Sequence, residues 1–211
     1  PDLANLLPVF CSIVTEVGSG GRDYLATQAL QAAVTGGIEA RSTVRGAIDD
    51  AGKGRGVLVL SGKALARNHA ALSDLLRETF DSARFDELDR LRELVAQERL
   101  HQEQSAMLAA AAGLSPSAAL NHRWYGLAGI KALKHLDDAL DDPVALQAFA
   151  ERLQRLRNAL LSAPRQFLLI GEEEQRSGYA AALAARWADA APAQDIAPFR
   201  LPPRAGPPPP R

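Results

Sequence analysis

Apolar residues at Leu3, Leu6, Leu7, Phe10, Ile13, Val14 and Val17 recur every three or four positions, the spacing that gathers side chains on one face of a helix. Asn5 is the expected N-cap, which leaves Pro8 in the first turn, and Gly18 is the expected stop. After a short loop, Asp23 can cap a second helix carrying Leu25, Ala29, Leu30, Ala33 and Val34, which ends at Thr35-Gly36-Gly37. The period then drops to two. Ile38, Ala40, Ser42 and Val44 alternate with Glu39, Arg41, Thr43 and Arg45, as in a strand with one dry and one wet face. Asp49–Gly56 is rich in Gly, Asp and Lys and reads as a mobile hairpin tip leading into Val57–Leu60.

From Lys63 to Ala163 the pattern is helical almost throughout. Ser115-Pro116 and Asp142-Pro143 each place a capping side chain directly before a proline at the first helical position, marking two helix starts. Gln166–Gly171 is a short continuous apolar run after Pro164, and its length predicts a buried strand. A last helix carries Tyr179, Leu183 and Trp187. Residues 192–211 are dominated by proline and read as an extended linker or tail. No repeat of 20 to 50 residues is evident.

The expected fold is therefore α+β: helices on one face of a small, mostly antiparallel sheet built from residues 38–48, 56–62 and 165–171. Residues 1–191 form one domain and 192–211 its Pro-rich tail. A chain of 211 residues that is 47% hydrophobic has enough apolar surface for one core. The net charge of −1 gives no field to attract nucleic acid or an anionic membrane, and no apolar run reaches the ~20 residues of a spanning helix. One cysteine excludes an intrachain disulfide and fits a reducing compartment. The abundance of Ala, Leu, Arg and Pro is compatible with a GC-rich bacterial gene, so the expected location is the cytoplasm.

Candidate chemistry is sparse. The histidines are His69, His101, His122 and His135, and only His135 with Asp138, and Glu98 with His101, have the spacing of two ligands on one helix face. Solvated polar faces explain both pairs. Cys11 has no nearby charge in sequence to lower its pKa and reads as a buried small hydrophobe. Gly52-Lys53-Gly54-Arg55-Gly56 lacks the spacing of a phosphate cradle and reads as the hairpin tip. Glu172–Glu174 suits a helix start, where negative charge favours the macrodipole. Trp124-Tyr125-Gly126 reads as packing between two helices rather than as a binding surface. No residue is assigned as catalytic, cofactor-binding or metal-binding.

Leu7-Pro8 through Gly18, Asp23-Tyr24, Thr35-Gly36-Gly37-Ile38, Leu58-Val59-Leu60-Ser61-Gly62-Lys63-Ala64-Leu65, Phe85-Asp86 and Leu114-Ser115-Pro116 through Leu127 together carry a resemblance. The chain resembles the third domain of presequence proteases, a branch of the pitrilysin and insulinase clan of zinc peptidases, over about residues 6 to 171. The resemblance implies four related α+β domains that enclose unfolded peptides in a chamber. It also implies zinc in the parent's first domain, held by an inverted His-x-x-Glu-His motif that this sequence lacks. The expectation is thus a metallopeptidase-like domain lacking its first strands: a non-catalytic fragment that shapes the chamber wall and joins other domains of the parent. The alternative is a scaffold subunit with no proteolytic role. Other domains of the parent and unfolded peptides are the expected partners, and missing strands should leave a sheet edge open to a second copy.

Overall fold

The computed structural model describes residues 3–101, 115–189 and 199–201. A 3-10 turn, Ala4–Leu6, runs directly into α1, Leu7–Val14. Asn5 does not cap it. The backbone is already helical at Leu3, so Asn5 lies inside the turn rather than at the extended position from which a side chain reaches the free N–H groups. The helix also ends short of Gly18, at Val14. By contrast, α2, Tyr24–Val34, starts as expected: Asp23 accepts a hydrogen bond from the Ala26 N–H at 2.8 Å. Gly37, at φ +122°, turns the chain out of α2 into the sheet, a conformation that favours glycine.

Strands β1, Ile38–Gly46, and β2, Lys53–Gly62, form an antiparallel pair running from Ile38 opposite Gly62 to Gly46 opposite Gly54. The ladder continues into the expected tip, because Lys53 to Gly56 extend β2 and confine the turn to residues 47–52. Ile38, Ala40, Ser42 and Val44 lie on the helix-covered face, while Glu39, Arg41 and Arg45 are exposed. The period-two reading of β1 thus holds, with α1 packed on β1 and α3, His69–Asp81, on β2.

The chain continues through α4, Leu88–His101; α5, Pro116–Tyr125; α6, Leu127–Ala139; α7, Pro143–Leu161; and α8, Arg176–Arg186. Ser115 accepts from the Ala118 N–H at 3.1 Å and Asp142 from the Val144 N–H at 3.0 Å, so both proline-marked starts are capped. The main core lies where α1, α4 and α7 meet. Phe10, Ile13, Val17, Leu91, Val95, Phe149 and Leu153 are sealed from solvent there, and the Phe10 and Phe85 rings sit 5.9 Å apart. The fold is α+β and helix-rich.

Two expectations about the sheet require correction. Residues 165–171 are not a strand: the segment has no regular secondary structure and joins no ladder among the described residues. The third strand is instead β3, Phe199–Arg200, which pairs antiparallel with Lys53 and Gly54 of β2. The tail thus contributes to the domain. Leu201 is buried against Leu120 and Trp124, and its N–H donates to the Gly52 carbonyl at 2.8 Å. On the opposite edge, β1 has no strand partner among the described residues.

Candidate functional site

The conspicuous sequence motifs resolve into packing. Gly18 sits where the chain doubles back under Glu87: the Glu87 carboxylate accepts from the Gly18 N–H at 2.9 Å and the Tyr24 N–H at 3.1 Å. A Cβ on Gly18 would lie 2.5 Å from the Arg22 carbonyl oxygen and 2.6 Å from the Glu87 carboxylate. The Arg90 guanidinium stacks on Tyr24 at 4.6 Å from the ring centre. Gly18, Tyr24 and Glu87 therefore form a structural clamp joining the α1–α2 loop to the start of α4. Glu87 was not singled out in the sequence, since its partners are more than 60 residues away.

Cys11 is buried on α1 against Ser42 of β1, whose hydroxyl is 3.0 Å from that of Tyr125. Burial pushes the thiol up to about 11, outweighing the opposing Ser42 hydrogen bond, so at neutral pH it is protonated and a poor nucleophile. Burial likewise raises Tyr125. Trp124 is buried beside Leu120 and Leu201, with its ring edge-on to Tyr125 at 6.2 Å. The aromatic pair is packing, as read from the sequence.

The histidines do not converge. The His69 ring bonds the Ala66 carbonyl oxygen at 2.8 Å and packs against Tyr179 with ring centres 4.9 Å apart. The Nδ1 of His122 is buried against Gly126. His135 is exposed on α6, and Asp138 lies 3.9 Å from Arg99. The adjacent Asp137 is buried, pairs with Arg92 and accepts from Arg99 at 2.6 Å, tying α6 to α4. The His101 side chain lies outside the described residues, so its pairing with Glu98 has no geometry to report. Among the described residues no three His, Cys, Asp or Glu side chains stand together as a ligand set. Glu173 pairs with Arg176 at 3.1 Å in a 3-10 turn before α8, and Gly54 abuts Leu201.

An open apolar surface lies elsewhere. The 165–171 segment runs beside α8 and encloses a groove of about 350 Å³ lined by Phe167, Leu169, Ala180, Leu183, Ala184 and Trp187. Arginines hold this unit to α3. Arg165 lies 4.8 Å from the Phe80 ring centre and 5.4 Å from that of Trp187. Arg77 stacks on Trp187 at 4.8 Å and makes two 2.7 Å hydrogen bonds to Asp189. The bonds from Arg77 hold Asp189 below the usual carboxylate range. The groove is apolar and open, without the convergent polar groups that a reaction needs.

Residues 1–136 match the family model for the domain associated with peptidases of family 16, subfamily C. The chain belongs to that family of peptidase-associated domains. Among individual proteins it is similar to the mitochondrial presequence protease of Danio rerio, 30% identical over 169 residues, and that of Xenopus laevis, 26% identical over 173 residues. Each match covers 76% of this chain but 16% of the relative, so the chain spans about a sixth of the proteins it resembles. Both relatives are named as mitochondrial proteins of animals, which gives the expected bacterial, cytoplasmic origin no support. No described helix is long and apolar enough to cross a membrane.

Proposed function

We propose that this chain is a non-catalytic domain of a zinc metalloendopeptidase that degrades unfolded peptides, where it forms part of the chamber wall and holds neighbouring domains together. The observation that carries this reading is the match of residues 1–136 to a peptidase-associated family, alongside likeness to presequence proteases of which the matched region makes up 16%. Zinc, with the chemistry of polarising a peptide carbonyl and activating water, is supplied by another part of the parent enzyme. The chain's own contribution is enclosure. A broad apolar surface suits an enzyme that accepts many extended peptides better than a narrow pocket does. Residues 1–191 are the domain, and 192–211 its Pro-rich connection, from which Phe199–Leu201 folds back onto β2.

The test is incubation of the chain with zinc and a fluorogenic unstructured peptide. The expected result is no cleavage above background. Turnover by the purified chain that a chelator abolishes overturns the reading.

A further inference from the structure

Phe167, Leu168, Leu169 and Ile170 are 47%, 84%, 43% and 89% exposed, an alternation of period two. Phe167 and Leu169 line the groove beside α8, while Leu168 and Ile170 are the more exposed pair. The segment therefore has the alternating exposure of a strand without the ladder. Among the described residues, no backbone N–H or C=O of residues 166–170 has a hydrogen-bond partner. Both faces are also apolar. A strand with one wet face alternates apolar with polar, whereas one covered on both faces is apolar throughout. Four consecutive large apolar residues with free backbone groups on an exposed surface mark a site that another polypeptide covers.

What would cover it can be decided by geometry. A single extended peptide would pair with the backbone edge but leave Leu168 and Ile170 in water. A second copy fares no better. Two identical strands paired antiparallel about a two-fold axis normal to the ribbon turn the same faces the same way, so Leu168 and Ile170 of both copies stay bare on one side. Covering edge and outer face together takes a strand backed by its own apolar layer. The relatives are about six times the length of the matched region, and such a layer lies within what that length can supply. We infer that residues 166–170 are a docking strand, which the remainder of the parent polypeptide completes by adding a β-strand at its edge and an apolar layer over Leu168 and Ile170. This rests on reading the chain as one domain of a longer peptidase, but it is judged by backbone protection, whereas the chamber-wall reading is judged by cleavage.

The test is hydrogen–deuterium exchange, read by mass spectrometry on fragments covering 165–171. It compares the chain alone with the chain mixed with the rest of its reading frame, produced as a separate polypeptide. The chain alone is expected to exchange this segment as fast as an unstructured peptide, and mixing should slow it at least ~100-fold. Leu168→Lys with Ile170→Lys should abolish that protection while leaving the circular dichroism of the chain alone unchanged, because both side chains are already exposed. Protection already present in the chain alone overturns the inference, as does its absence after mixing, its persistence in the double variant, or a reading frame that encodes no further domain.

Discussion

Cys11 shows how position decides the chemistry of one residue. On a solvated helix its thiol would ionise at mildly alkaline pH; against Ser42, under α1, it holds its proton until about 11. The sign of the consequence is fixed. Between the ordinary value of 9.0 and about 11, the unfolded chain releases a proton that the folded chain keeps, so the unfolded state gains stability as pH rises. The contribution is fully present below pH 9, falls through this window and levels off above it, and a shift of this size corresponds to about 2 to 3 kcal/mol. Urea unfolding at pH 8, 9, 10 and 10.5 should show the decline, and Cys11→Ala should make it shallower. It should not vanish, because the raised Tyr125 contributes with the same sign. An identical pH slope in both proteins would count against a buried, protonated thiol.

At the scale of elements, the caps separate what local sequence can and cannot say. Asp142 accepts a backbone hydrogen bond at the start of α7, whereas Asn5, a similar side chain before a similar proline, lies within a turn already formed. Asp142→Ala should therefore cost about 1 kcal/mol and Asn5→Ala less than about 0.5 kcal/mol, measured by denaturant titration. Equal losses would restore Asn5 as a cap. The same contrast marks how much of the fold was legible. The helix starts capped by Asp23, Ser115 and Asp142, the two-residue period of β1 and the helical stripes depend on neighbours in sequence, and they appear, whereas the cap expected at Asn5 does not. Three features depend on distant partners and were not legible. Glu87 anchors a loop more than 60 residues away, Leu201 seats beside Trp124 despite its proline-rich surroundings, and residues 166–170 have a strand's pattern without a strand's partner. For the candidate surface, composition marked the apolar run, but only the fold showed that it lies exposed beside α8.

For the whole molecule, burial is distributed unevenly. The core around α1, α4 and α7 seals large side chains completely, whereas α8 has no buried residue and is held to α3 by rings and charges. Trp187 is the hub: it touches Phe80, Phe167, Arg77 and Arg165. Ion pairs with an exposed partner, such as Arg77 with Asp189, contribute little and weaken with salt, so the stacked rings carry most of the attachment. A unit held this way should open on its own, well below the free energy of global unfolding. Trp187→Ala removes the four contacts together. It should speed amide exchange across α8, Arg176–Arg186, at least ~10-fold while leaving α1 and α4 protected and the main thermal transition within a few degrees of the parent chain. A single cooperative transition shifted far downward, with α1 and α4 exchanging as fast as α8, would show that the segment is integral to the core. The distinction bears on assembly, because a unit that opens locally can adjust the already unpaired 166–170 backbone to an incoming strand without unfolding the domain behind it.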